Sequence, residues 1–215
     1  MIRVEVARKT FGSTEVLRDI GFSLGRSECI AILGASGIGK STLLRLITGI
    51  DRDFEGKITT PPRMGMVFQE PTLLPWRSVL QNLTLLHPGL CDAAALAALD
   101  RVGLADKARA FPRQLSLGQQ RRLALARAFA GKPELLVLDE PFVSLDADTA
   151  EDMLALTEAL IAETRPATIL VTHSEAEAKR LAGRILRLVG RPATLACAPQ
   201  PVPDRSKPGR HKGVA

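Results

Sequence analysis

The sequence predicts an α/β fold, and three observations carry that reading. Short apolar runs at Cys29–Leu33, Leu135–Leu138 and Ala167–Val171 read as strands covered on both faces. A glycine-rich loop, GASGIGKST at Gly34–Thr42, sits between the first of these runs and a helix-like stretch. From Glu70 to Ala130 the pattern is helical, with no further strand-like run, as in a helical lobe inserted into an α/β core. At 215 residues the chain suits one substantial core with an insertion rather than two independent domains.

Taken in order, IRVEVA (2–7) and EVLRDIGFSL (15–24) alternate apolar and polar residues as half-exposed strands do. KTFGST joins them as a short turn, and its Phe11 is open between stacking on a flat ring and packing the turn. After the loop a helix is expected over Lys40–Ile50, with Leu43, Leu44, Leu46 and Ile47 as its buried stripe. DRDFEGKITTPP reads as a polar connection, and Met64–Phe68 as a strand that ends in Gln69. Within the helical region, Asp92–Leu99 is an Ala/Leu helix that Asp92 can cap. QLSLGQQRRLALARAFAGKP is a helix with Ser116 as N-cap and Gly131 then Pro133 as its stop, where Arg121 and Arg122 read as a solvated face. VSLDAD leads into a helix over Thr149–Glu163, with Asp146 open between helix entry and a contact role. Ser174 and Glu177 form a capping-box pattern after the third strand, and RILRLV is a last strand. From Arg191 the chain has five prolines, five basic residues and almost no apolar periodicity, which predicts a disordered tail over 191–215.

The chemistry concentrates at strand ends. The loop fits the pattern Gly, four residues, Gly, Lys, Ser or Thr, whose inward N–H groups cradle phosphate oxygens. Gly34, Ala35, Ser36, Gly37, Ile38 and Gly39 would form the cradle, closed by Lys40, Ser41 and Thr42 at the positive end of a helix dipole. Lys40 adds a charge for β- and γ-phosphates, and the Ser41 hydroxyl can ligate Mg²⁺. LLVLDEP ends in adjacent carboxylates: Asp139 fits a Mg²⁺ interaction and Glu140 a general base for attacking water. Gln69 and His173 close two other strands, where α/β folds present polar groups to ligands. Ser116 with the N–H groups behind it forms a second anion site by the same helix-terminus physics.

Composition bounds the class. Residues 191–215 carry five Lys or Arg against one Asp, +4 of the +6 total, so the folded part is nearly neutral and nucleic acid is not an expected partner. The three cysteines, Cys29, Cys91 and Cys197, lack CxxC spacing and suggest neither a disulfide frame nor a zinc site. No apolar run approaches the roughly 20 residues that span a bilayer, and the N-terminus lacks a signal-peptide core, so a cytoplasmic location is expected.

Together these motifs resemble the ATP-binding cassette ATPases, the nucleotide-binding subunits of ABC transporters, over about residues 1–190. GASGIGKST resembles the Walker A motif, Gln69 the Q-loop, LSLGQQ the family signature, LLVLDE the Walker B motif, SLD the D-loop and His173 the H-loop. FQEPTLLPW is further similar to the ATPase subunits of nitrate, sulfonate and taurine importers. The resemblance implies a P-loop NTPase (RecA-like) core with a mostly parallel sheet, an N-terminal antiparallel β subdomain and an inserted α-helical signature lobe over about 70–130. It implies ATP and Mg²⁺, with Ser41, Gln69 and Asp139 near the metal and Phe11 at the adenine-stacking position. Glu140 would activate water and His173 engage the γ-phosphate. It also implies a head-to-tail homodimer in which Ser116, Gly118 and Gln119 of one copy face the other's nucleotide and Asp146 communicates across. The pair would dock on an integral-membrane permease at the cytoplasmic face of the cell membrane, fed by a solute-binding protein outside. The signature departs from the usual LSGGQ by Leu117. A soluble cassette acting on nucleic acid or ribosomes, and an inactive regulatory cassette, are the other classes.

Overall fold

The computed structural model describes residues 1–196. The chain opens with β1 (Ile2–Phe11), whose Ile2, Val4 and Val6 are buried and alternate with exposed residues, and turns through Gly12 into β2 (Thr14–Leu24). β1 is four residues longer than its apolar alternation indicates, because Lys9 turns inward past an irregularity near Ala7. Its ammonium is buried against Asp51, at 2.9 Å, and Asp53, and it lies 4.7 Å from the centre of the Phe11 ring. β3 (Cys29–Leu33) runs into the glycine-rich loop and then α1 (Lys40–Ile47), which stops one turn short of Ile50.

The expected polar connection holds a strand. β4 (Glu55–Thr59) pairs antiparallel with β1 as the outer strand of a β2-β1-β4 sheet. Only Ile58 of its five residues is even partly buried, so it has no apolar alternation to announce it. β5 (Met64–Val67) follows, then the helical region: α2 (Val79–Thr84), α3 (Asp92–Asp100) and α4 (Leu117–Ala130). Cys91 rather than Asp92 takes the N-cap position of α3, and Asp92 is its first helical residue. β6 (Leu135–Asp139), α5 (Ala147–Thr164), β7 (Ala167–Thr172), α6 (Glu175–Leu181) and β8 (Arg184–Val189) complete an alternating β/α run.

The tail boundary moves. β9 (Thr194–Leu195) pairs antiparallel with β8, and Ala193 exchanges backbone hydrogen bonds with Val16 and Arg18 of β2. Residues 191–196 therefore stitch the two sheets together, through backbone groups that leave no side-chain signature. The expectation for the remainder of the tail, with Cys197, lies outside the described residues.

The main sheet has the order β5-β6-β7-β3-β8-β9, parallel except for β9. Alternate residues of its strands face different layers: Leu135, Val137, Ile169 and Val171 pack with α1 and the antiparallel sheet. Leu136, Leu138 and Leu170 pack with the helical region, α5 and α6. This order also sets the site, because β5, β6, β7 and β3 lie side by side and all point the same way. Their carboxyl ends bring Gln69, Asp139 with Glu140, His173 and the glycine-rich loop to one edge.

Candidate nucleotide site

The loop wraps as its glycines allow. Gly37 (φ 71°) and Gly39 (φ 111°) take the left-handed conformation that L side chains rarely adopt. Gly34 is required by space, since a Cβ there would lie 2.9 Å from Ile38 Cγ2 and 3.2 Å from the Leu188 carbonyl. Ala35 and Ser36 are exposed at the loop's crest, and the Ala35 carbonyl accepts from Ile38 N at 3.3 Å. The packing of Gly39 against Val16 and Leu17 brings the β1–β2 hairpin tip to the same end of the molecule. Phe11, at that tip, is half exposed, with the Lys9 ammonium 4.7 Å from the centre of its ring.

α1 starts at Gly39 with no side-chain cap, so the N–H groups of Lys40, Ser41 and Thr42 have neither a capping side chain nor an intrahelical acceptor. Lys40 is buried, and its ammonium bonds the carbonyls of Gly34 (3.0 Å) and Ala35 (3.1 Å) and pairs with Glu140 Oε1 at 3.2 Å. The other Glu140 oxygen, Oε2, lies 3.4 Å from His173 Nδ1. Glu140 thus stands between the lysine of the loop and the imidazole of the next strand end. Its own backbone is left-handed (φ 45°) and is held by a hydrogen bond from its N–H to the Val171 carbonyl at 2.9 Å.

Ser41 Oγ donates to Asp139 Oδ1 at 3.4 Å, across from α1 to β6. Burial pushes the Asp139 carboxyl above its ordinary range; the Ser41 hydroxyl opposes this, Glu140 adds to it, and Lys40 and Arg45 oppose it. A hydroxyl and a carboxylate are two hard oxygen donors, too few to cage an ion without help from phosphate and water. Among the described residues no group of three or more His, Cys, Asp or Glu could hold a metal by itself. Gln69 lies two residues beyond Val67, which pairs with Leu138, just as Glu140 lies two beyond Leu138; Gln69 is exposed at that edge.

The other predicted cluster stands apart. Ser116 caps α4 with a complete capping box: its hydroxyl accepts from Gln119 N at 3.2 Å, and Gln119 Oε1 accepts from Ser116 N at 3.0 Å. A Cβ on Gly118 would lie 3.0 Å from Thr149 Cγ2, so glycine lets the first turns of α4 and α5 approach. Asp146 is both helix entry and site lining: it caps α5 by accepting from Thr149 N at 2.9 Å, a bond that holds its carboxyl below the usual range. Ser116, Gly118, Gln119 and Asp146 border one pocket of about 450 Å³, and no residue of the phosphate loop lines it. Another cavity, of about 670 Å³, lies at the opposite, amino-terminal edge of the sheet and is lined by none of the predicted site residues.

Three side chains that organise the site, Arg121, Arg127 and Asn82, were not expected in that role. Arg121 is not on a solvated face: it is buried and donates to the carbonyls of Pro141 and Val143, because α4 packs that face against the turn after Glu140. Arg122 is partly covered and reaches Asp152 at 3.6 Å. Arg127 donates to the carbonyls of Pro71 and Thr72 just past Gln69. Asn82, fully buried, bonds Leu74 N and O, Arg77 O and Ser78 O, fixing the loop that carries the exposed Trp76. An amide inside the apolar run VLQNLTL was the available signal for Asn82. The Ser174–Glu177 capping box is half formed, since Glu177 bonds the Thr172 hydroxyl instead of Ser174 N. Cys29 and Cys91 are free, and burial pushes the Cys29 thiol up to about 12, which makes it unreactive.

Comparison with known proteins bears on this geometry. The family model described as ABC transporter matches residues 17–143, more than half of the chain. A protein of Frankia alni named aliphatic sulfonates import ATP-binding protein SsuB 2 is 48% identical over 87% of this chain and 76% of its own length. A Burkholderia cenocepacia protein of the same name is 40% identical over 89% of this chain and 75% of its own length. Among solved structures, the dimeric post-hydrolysis state of the ATP-binding cassette MJ0796 bound to ADP and Pi superposes with a TM-score of 0.80. It is 26% identical and covers 95% of this chain and all of that one. The chain thus shares its overall fold with a solved cassette and its sequence, along most of its length, with the importer proteins, and it belongs to their family: it is an ATP-binding cassette of the ABC transporter family.

Proposed function

We propose that this chain is the ATP-hydrolysing subunit of an importer for a small anionic solute of the aliphatic sulfonate class, within the nitrate, sulfonate and taurine group. The names of its relatives support the solute class. The observation that carries the ATPase reading is Glu140, bridged to Lys40 on one oxygen and to His173 on the other at the mouth of the phosphate loop.

ATP would lie with its phosphates against the N–H groups of residues 36–42 and its adenine against Phe11. Lys40 would exchange its bonds to Gly34, Ala35 and Glu140 for phosphate oxygens, which frees Glu140 to accept a proton from water. His173 would then hold Glu140 and the terminal phosphate in register. Ser41 and Asp139, with Gln69 beside them, would hold Mg²⁺, which supplies charge neutralisation for the phosphates.

The signature pocket contains none of the loop residues. This supports a head-to-tail pair, in which Ser116, Gly118 and Gln119 of one copy complete the site of the other and Asp146 lies between. Closure and reopening of the pair would drive a separate membrane permease at the cytoplasmic face of the cell membrane, with a solute-binding protein outside delivering cargo. No helix of the described residues is long and apolar enough to cross a membrane itself. Trp76, Leu85 and Leu86 are exposed on the helical region near the Gln69 loop, apolar area suited to a permease contact.

The test is to tag the chain in its own host, solubilise membranes in mild detergent and identify what co-purifies. A polytopic membrane protein in near-equal amount is the expected result. Recovery from the soluble fraction alone, with nucleic acid or ribosomes, would replace the importer reading and leave the ATPase one.

A further inference from the structure

Helix α4 grips both loops that carry predicted catalytic side chains. Arg121, 5% exposed, donates from Nη1 to the Pro141 carbonyl at 2.9 Å and from Nη2 to the Val143 carbonyl at 2.7 Å. Farther along the helix, Arg127 donates to Pro71 O at 3.0 Å and Thr72 O at 2.9 Å. The helix can do both because it lies directly on β5, where a Cβ at Gly65 would fall 2.4 Å from the Ala128 carbonyl.

Stability alone does not account for Arg121. Among the described residues its Nε is buried without a hydrogen-bond partner and no carboxylate pairs with it, and burial depresses the guanidinium pKa. A buried cation lacking a counter-charge costs free energy that an apolar side chain of similar volume would not. What the fork holds is a strained turn. Glu140 (φ 45°) and Ser144 (φ 64°) are both left-handed without being glycine. Such residues are strained and persist only where the surroundings over-determine them. Both Arg121 acceptors lie between them. Two backbone hydrogen bonds also hold the segment, Glu140 N to Val171 O and Val143 N to Glu140 O, at 2.9 and 3.3 Å.

We propose that Arg121 is a positioning residue for ATP hydrolysis: its fork to Pro141 and Val143 fixes the left-handed backbone that aims Glu140 at the phosphate loop. Because Ser116 and Arg121 belong to one helix end, the aim of Glu140 also depends on where the signature end of α4 lies. The inference rests on Glu140 as the base.

The experiment compares full-length wild type, Arg121→Gln, Arg121→Lys, Glu140→Gln and the Arg121→Gln/Glu140→Gln double variant, measuring kcat and KM for ATP, ATP affinity and melting temperature. Arg121→Gln is expected to lower kcat roughly 10- to 100-fold by misplacing the base. KM and ATP affinity should stay within about twofold, the pattern for an interaction used in the transition state. Arg121→Lys, which keeps the charge but has a single donor nitrogen in place of the fork, should recover part of the loss. In the Glu140→Gln background Arg121→Gln should change the residual rate by less than about twofold, since both act through one atom. A kcat near wild type for folded Arg121→Gln, or an equal loss in both backgrounds, overturns the proposal. Should Arg121→Gln fail to fold, Arg121→Met, which keeps the length of the side chain and removes every donor, takes its place, and a wild-type kcat for that variant overturns the proposal. Wild-type turnover by Glu140→Gln would instead remove the base reading itself, a result distinct from a silent Arg121.

Discussion

Two helix N-termini in this molecule are built for anions, and they are finished differently. α1 begins at a left-handed glycine with no capping side chain, its N–H groups open to the loop and its buried Lys40 lent to backbone carbonyls and Glu140. α4 begins at Ser116 with its cap closed, hydroxyl and amide each satisfied by Gln119. The first end binds phosphate by filling vacant donors. The second must exchange a bond it already has, so its gain per contact is smaller. In the proposed head-to-tail pair, the hungry site would hold ATP alone and the self-satisfied one would act only against nucleotide that another copy presents. The difference would order the two events: binding first, engagement of the signature end later.

The strongest way to sharpen this contrast is at the hungry end. Glu140→Gln keeps the size of the side chain and removes its basicity. Turnover should fall roughly 10² to 10⁴-fold while ATP binding survives. Steady-state hydrolysis beside nucleotide titration reads both, and near wild-type turnover would remove Glu140 as base. At the self-satisfied end, Ser116→Ala should leave ATP affinity of the dilute, unpaired chain unchanged. Turnover should fall about 10- to 100-fold, the worth of one hydrogen bond to a charged group. Loss of the N-cap should also cost about 0.5–2 kcal/mol of stability. Weakened ATP binding by the unpaired chain would place Ser116 at its own nucleotide and break the comparison.

The two ends also differ in how pH acts on them. Burial raises the Asp139 carboxyl, so its ionised form burdens the ligand-free fold. That burden is absent below the ordinary aspartate pKa, grows as pH rises toward the raised value and is complete above it. Asp139→Asn should therefore melt higher than wild type at neutral pH, with the gap closing on acidification through that window. Asp146 has the opposite sign, because the Thr149 N–H favours its ionised form. Its contribution is present above the ordinary pKa and fades as pH falls through the lowered value, so Asp146→Ala should melt lower at neutral pH and match wild type in acid. Melting curves across pH decide both, and equal melting temperatures for wild type and Asp139→Asn at neutral pH would contradict the buried-charge account.

Much of this was legible in the sequence because the site residues are contiguous with the strands that aim them. The loop follows β3 directly, Asp139 ends β6, Glu140 is the next residue, and His173 follows β7. A parallel sheet then needs only its strand order to bring them together. What stayed hidden depends on acceptors far away in the chain. Arg121 read as a solvated charge in RRLALARAF and Arg127 carried no signal at all, since nothing local says that their partners are the carbonyls of Pro141, Val143, Pro71 and Thr72. β4 was hidden by being an edge strand, and residues 193–196 by making their contacts through backbone.

The smallest expected effect tests the one departure from the family signature. Leu117 is the first helical residue of α4 and is 45% exposed, and it is absent from the capping bonds made by Ser116 and Gln119. Its side chain projects from the border of the signature pocket rather than filling a core position. Leu117→Gly restores the usual signature and removes a good helix former, which should cost at most about 1 kcal/mol of stability. The cost should be less in practice, because the residue sits in a capped first turn. ATP binding by the unpaired chain should not change at all. Turnover should move by no more than about threefold, less than the worth of one average hydrogen bond. A larger increase would mean that Leu117 obstructs the partner's nucleotide. A larger decrease would mean that the chain has come to use this side chain across the closed pair, and the signature end would then owe its function to an apolar contact as much as to its cap.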